Sequence, residues 1–206
     1  MGFRNRVEAG SALADRLAGY ADRADAVALG LVRGGVPVAA EVARRLRIPL
    51  DVLVVRKLGV PWAPEVAFGA LGPGGIQVLN EEIATRLDEV EIDLVVRHET
   101  TELRRRERLF RLGRPPLDLT GRTAIIIDDG LATGATAGAA VAVARTLSAA
   151  HVVLATPVGA VAAVTRLTRL ADEVVCLLEE SDFGAVSRYY DDFRQLADSD
   201  VTRLLA

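Results

Sequence analysis

The stretch Thr123-Ala-Ile-Ile-Ile-Asp-Asp-Gly-Leu-Ala-Thr-Gly-Ala-Thr136 decides the fold. Three consecutive isoleucines have no polar alternation, so they predict a strand buried on both faces, as in the middle of a parallel sheet. Two carboxylates follow at its C-terminal end, and a turn of small residues then opens a helix over Ala135–Leu147. The pattern continues with a strand at His151–Thr156, a helix at Gly159–Leu170 and a strand at Glu173–Leu178. Strands alternating with helices predict right-handed βαβ units on one sheet.

Working backwards gives a second unit. Ala26-Val-Ala-Leu-Gly-Leu31 reads as a buried strand that breaks at Arg33-Gly34-Gly35. Pro37–Arg47 is a helix with proline in its first turn, and Leu50–Val55 is the next strand. A first helix over Arg6–Tyr20 carries Val7, Leu13, Leu17 and Tyr20 at helical spacing, with Asn5 as its cap. Between the two halves, Val66–Leu71 and Ile76–Leu79 flank Gly72-Pro-Gly-Gly75 and predict a hairpin. Residues from about Glu81 to Arg111 are helical and charged, with Glu102/Arg106 and Glu107/Arg111 at i,i+4. The expectation is one domain over 1–206: a doubly wound, mostly parallel α/β sheet, a helical insertion at about 81–114 and a small C-terminal hood at about 180–206.

Composition narrows the chemistry. The 206 residues carry 25 Lys+Arg against 28 Asp+Glu, a net charge of −3, which argues against general nucleic-acid binding. One cysteine, Cys176, excludes an internal disulfide, and two distant histidines, His98 and His151, disfavour a zinc site. No apolar run is long enough to span a membrane and no signal-peptide pattern opens the chain, so the sequence reads as soluble and cytoplasmic. Lys57 is the one lysine beside 24 arginines.

The quoted stretch also carries chemistry. Unpaired N–H groups and the positive dipole end of a helix can hold a phosphate, and the Thr133 and Thr136 hydroxyls add donors. Asp128 and Asp129 stand one turn away, where carboxylates can accept hydrogen bonds from vicinal hydroxyls. Together they describe a site for a 5-phosphorylated ribose. Separately, Asp-Asp also suits a metal site or a plain turn, and Thr-Gly-x-Thr simple capping. No Gly-Lys-Thr/Ser phosphate loop and no Gly-x-Gly-x-x-Gly after the first strand occurs. Arg33-Gly34-Gly35 suits an anion or a tight turn, and Arg56-Lys57 places two cations at the end of the second strand.

At these residues the sequence resembles the type I phosphoribosyltransferases, which move ribose 5-phosphate from phosphoribosyl pyrophosphate (PRPP) to a nitrogenous base and release pyrophosphate. Ile125–Thr136 is similar to their PRPP-binding signature. The resemblance implies that Asp128, Asp129, Ala132, Thr133, Gly134, Ala135 and Thr136 bind PRPP. It further implies that Asp128 and Asp129 face Mg²⁺ as the cofactor. Arg33, Gly34 and Gly35 match the pyrophosphate loop, which in the family often has a strained non-proline peptide bond before its glycine. Arg56 and Lys57 resemble the Arg-Lys pair that contacts pyrophosphate in adenine and xanthine enzymes, and Leu58–Val66 then becomes a closing loop that excludes water. Trp62 and Glu65 within it receive no role.

The tail Ser181–Phe193 holds four of the nine aromatic residues. Phe183 sits where 6-oxopurine enzymes place a base-stacking ring, and burial of the tail is the competing use. Arg194 matches an arginine that reaches pyrophosphate. Hypoxanthine-guanine specificity is disfavoured: Ala132 replaces the Asp before Thr-Gly, and Thr156-Pro-Val-Gly159 lacks the lysine that reads the exocyclic oxygen. The arginines of Arg104–Arg114 read as a solvated or dimer-contact helix, so a homo-oligomer is expected. The alternative to an enzyme is a PRPP- or nucleotide-sensing regulator of the same fold.

Overall fold

The computed structural model describes residues 2–111 and 113–206. In chain order its elements are α1 (Arg6–Arg16), β1 (Ala26–Leu31), α2 (Gly35–Leu46), β2 (Leu50–Leu53), β3 (Arg56–Val60), β4 (Ala63–Gly72), β5 (Ile76–Leu79), α3 (Glu81–Ala84), α4 (Glu89–Phe110), β6 (Thr123–Ile127), α5 (Ala135–Thr146), β7 (His151–Ala160), α6 (Val161–Leu167), β8 (Glu173–Glu180) and α7 (Asp198–Leu205). Five strands form a sheet in the order β2-β1-β6-β7-β8, every pair parallel. No helix among the described residues is long and apolar enough to cross a membrane.

The pleat of β6 divides the core. Ile125 and Ile127 pack with Leu13 and Leu17 near α1 and with Val38 and Val42 of α2, whereas Ala124 and Ile126 pack with Ala137, Ala140 and Val141 of α5 and Leu167 of α6. Alternate side chains of a strand point to opposite faces, so a strand covered by helices on both sides must be apolar throughout. The doubly wound architecture follows. The chain runs from β1 outward to β2 and later returns to β6 on the other side of β1. That reversal sits between the C-terminal ends of β1 and β6, paired as Gly30 with Ile127.

Several boundaries differ from the sequence reading. β2 stops at Leu53, and Arg56 opens β3 of a separate antiparallel sheet, β3-β4-β5. Val54 and Val55 are buried between the two sheets and prolong the apolar run, which hides the strand end. Most of Leu58–Val66 is therefore hairpin rather than irregular loop, with Leu58 paired to Gly69, Gly59 to Ala67 and Val60 to Ala63. Trp62 stands at the turn, 64% exposed. The side chains of Pro64 and Glu65 lie outside the described residues. The predicted hairpin about Gly72–Gly75 is present, with Gly72 paired to Ile76.

The charged insertion is two helices, because Asp88 starts α4 afresh. Asp88 accepts from the Glu91 N–H, and Glu91 returns a carboxylate to the Asp88 N–H. Glu102 approaches Arg106 at 3.9 Å, but Glu107 and Arg111 do not pair as their spacing suggests. Arg111 is buried and bonds Asp51 of β2 at 3.1 Å, while Glu107 accepts from the Gly74 N–H. β7 runs four residues past Thr156 because Val158, Gly159 and Ala160 pair with β8. α6 is correspondingly short.

Candidate functional site

The sheet topology sets two loops side by side. Residues 32–35 leave β1, residues 128–134 leave β6, and these strands are neighbours. The Val32–Arg33 peptide bond is cis. Gly34 lies so close to Asp129 that a Cβ there would overlap the carboxylate. A Cβ on Gly35 would overlap the Ile127 carbonyl and come within 2.9 Å of the Asp128 Cα. Both glycines are thus required by close approach of the two loops.

Asp129 is tied down from a distant part of the chain. Its Oδ2 accepts from Arg6 Nε at 2.9 Å, and the two side chains are only 13% and 10% exposed. The Arg6 guanidinium lies 3.9 Å from the centre of the Phe193 ring, and its Nη1 donates to the Arg194 carbonyl. The Tyr190 hydroxyl donates to the Asp129 carbonyl at 2.6 Å. Burial raises both acids above the ordinary carboxylate range. For Asp128 the negative charge of Asp129 adds to the rise; for Asp129 the Arg6 cation opposes it.

Arg6 was absent from the sequence-derived site. The signal lay in α1, whose inward stripe is Arg6, Ala9, Leu13 and Leu17, while Val7 is 56% exposed. An arginine on an apolar stripe needs an anion to meet it. Arg6→Ala is expected to cost about 3–5 kcal/mol, because it strands a buried carboxylate. Urea denaturation checks this, and an unchanged midpoint would count against the pair.

The loop after β6 ends as the residues suggested. Leu131 bridges to Gly159, and Gly134 caps α5 at φ +66°. Ala132, Thr133 and Thr136 are exposed, Ala135 half-buried, and the Thr133 hydroxyl accepts from the Ala135 N–H at 3.4 Å. Arg166 of α6, which the sequence did not single out, donates to the Thr133 carbonyl and braces the loop from outside.

Two concavities flank this edge. A groove of about 400 Å³ is lined by Arg6, Arg33, Gly34, Asp129, Phe193 and Arg194. It unites three of the sequence-derived pyrophosphate residues with Asp129. Across residues 32–35, a cavity of about 680 Å³ brings together Val32, Arg56, Lys57, Arg106 and Thr136. Arg56 and Lys57 thus reach the loop from β3 rather than from the parallel sheet. Arg56 Nε donates to Glu99 of α4 at 2.5 Å. Phe183 does not present a free ring: it is 5% exposed and stacked on Tyr189 at 4.9 Å, in a cluster with Ala9, Val158 and Tyr190.

Among the described residues no group of three or more His, Cys, Asp or Glu forms a metal cage. Asp128 and Asp129 alone suit Mg²⁺, which takes one or two carboxylates and fills its remaining positions from substrate phosphates and water.

The chain is similar to proteins of known sequence and structure. The chain is 53% identical over 205 residues to a Mycobacterium tuberculosis (strain H37Rv) protein provisionally named phosphoribosyl transferase Rv0571c, covering 98% of this chain and 46% of that one. It therefore spans about half the length of that relative. The crystal structure of TT1426 from Thermus thermophilus superposes with a TM-score of 0.92 at 44% identity, covering 100% of this chain and 98% of that one. A hypothetical protein from Neisseria gonorrhoeae with bound ppGpp shares the fold alone, at a TM-score of 0.50 and 12% identity over 99% of this chain and 96% of that one. The model of the phosphoribosyl transferase domain matches residues 4–194, and the chain belongs to that family.

Proposed function

We propose that this domain transfers ribose 5-phosphate from PRPP to a nitrogenous base and releases pyrophosphate, with Mg²⁺ as cofactor. The observation that carries the reading is the meeting of Asp128-Asp129, the α5 N-terminus and residues 33–35 at one edge of the sheet. The 5-phosphate is assigned to the N–H groups and hydroxyls of residues 133–136. Ribose hydroxyls are assigned to Asp128 and to the carboxylate oxygen of Asp129 that faces away from Arg6. Pyrophosphate is assigned to the ground between Arg33, Gly34 and Arg194 on one side and Arg56 and Lys57 on the other. Mg²⁺, when bound, supplies charge neutralisation of the pyrophosphate oxygens.

Cleavage of the C1–oxygen bond leaves negative charge on pyrophosphate and positive charge on the ribose ring. Fixed cations on one side and Asp128-Asp129 on the other stabilise that separation without reorganising at the moment of reaction. Positioning then does the rest, and no side chain need act as a nucleophile. Hypoxanthine and guanine are disfavoured acceptors, since Ala132 offers no carboxylate and residues 156–159 no lysine.

Pyrophosphate release from PRPP with a panel of purine and pyrimidine bases tests the reading. Release with one base supports an enzyme; PRPP binding with no release for any base points to a sensor. Lys57→Arg is expected to lower kcat by roughly tenfold or more, because a planar guanidinium does not reproduce a compact ammonium on a flexible stem. Steady-state kinetics would return wild-type values if Lys57 stood there by chance.

A further inference from the structure

The six arginines of 104–114 do not behave as one solvated face. Arg104, Arg105 and Arg108 are exposed. Arg111 and Arg114 turn inward to Asp51, at 3.1 and 3.6 Å, and Arg114 also bonds the Leu50 carbonyl. Arg106 does neither. It lines the 680 Å³ cavity together with Arg56, Lys57 and Thr136, and its side chain is only 29% exposed.

Its countercharge is poor. Glu102 stands 3.9 Å away and is closer to Arg105, at 3.2 Å, while Glu99 is engaged by Arg56. Burial lowers the Arg106 pKa and the Arg56 charge adds to the fall; Glu102 opposes it, and Arg105 and Arg33 contribute smaller pushes downward. A half-buried guanidinium facing like charges is costly to hold. A multiply charged anion removes that cost, and a planar fork of donors matches phosphate oxygens.

We propose that Arg106 binds the terminal phosphate of pyrophosphate, so that α4 of the insertion completes a cationic wall begun by Arg56 and Lys57. This rests on the phosphoribosyl-transfer reading, in which pyrophosphate lies between Arg33, Gly34 and Arg194 and the Arg56–Lys57 side that Arg106 shares. The insertion then contributes a ligand-binding residue, and the exposed arginines beside it do not.

Calorimetric titration of Mg²⁺–pyrophosphate and of Mg²⁺–PRPP into wild-type protein, Arg106→Gln, Arg106→Lys and Arg105→Gln tests the assignment. Arg106→Gln is expected to weaken both ligands by about tenfold or more, the scale of one lost charge-assisted hydrogen bond. Arg106→Lys should recover part of the loss, and Arg105→Gln should match wild type. Arg106→Gln within twofold of wild type would overturn the assignment while leaving the wider reading intact. Failure of wild-type protein to bind either ligand would overturn both. Should Arg106→Gln not fold, wild-type protein labelled with phenylglyoxal decides: pyrophosphate should protect Arg106 and not Arg105 in the peptide masses. Equal labelling with and without pyrophosphate would overturn the proposal.

Discussion

Replacing Asp128 and Asp129 together by Asn is expected to weaken Mg²⁺–PRPP binding by about 100-fold or more while the fold persists. Hydrogen bonds to a charged group contribute about 1.5–3 kcal/mol each, and two lost together exceed the roughly 2.7 kcal/mol that a factor of 100 requires. Asp128 alone gives a second, opposite readout. Its pKa is raised in the folded chain by burial and by the Asp129 charge. The folded state therefore holds this proton more tightly than the unfolded chain, and ionisation costs stability as pH rises above the ordinary carboxylate range. Asp128→Asn keeps an oxygen for the Asp129 N–H, now bonded to Oδ1 at 3.0 Å, and removes the charge. Without Mg²⁺ at neutral pH this variant should melt above wild type even as it binds PRPP less well. A lower melting temperature would contradict the strained state of the acid pair.

Gly35→Ala is expected to destabilise the domain by about 2–3 kcal/mol, the range for forcing an added carbon into packed surroundings. For a chain of this size that lowers the melting temperature by roughly 5–10 °C. The new Cβ would meet the Ile127 carbonyl and the Asp128 Cα, both backbone, so β6 and the start of α2 must part. Gly34→Ala presses instead on the Asp129 carboxylate, a side-chain end that can swing only by leaving Arg6. It should therefore cut PRPP affinity more than Gly35→Ala does and lower the melting temperature at least as much, because it breaks the buried Arg6–Asp129 pair. Paired melting curves and PRPP titrations check the order, and a reversed order would contradict the packing of residues 34–35 on β6.

The parts of the fold that the sequence displayed are those governed by local pattern. The isoleucines of 125–127 and the run 26–31 are apolar on both faces because helices cover both faces, and that requirement is written in the strand itself. The carboxylate pair and the small-residue turn are contiguous, so their partnership was legible as well. The end of β2 was not, since Val54 and Val55 are buried between two sheets and extend the apolar run beyond the last ladder pair. Arg6 and Asp129 are 123 residues apart, and only the fold brings them together. Arg106 differs from Arg104, Arg105 and Arg108 solely in the direction that its place on α4 gives it, which residue type cannot reveal. The residue type of Phe183 suits both stacking a base and filling the tail, and in the structure its ring packs against Tyr189 and Val158.

Titration of Mg²⁺–PRPP into the wild-type chain by calorimetry, followed by the same titration in saturating inorganic pyrophosphate, bears on all of these assignments at once. One saturable site per chain that pyrophosphate competes away is the predicted outcome. Absence of saturable binding, or binding indifferent to pyrophosphate, would contradict the assignment of residues 128–136 and 33–35 to a single PRPP site.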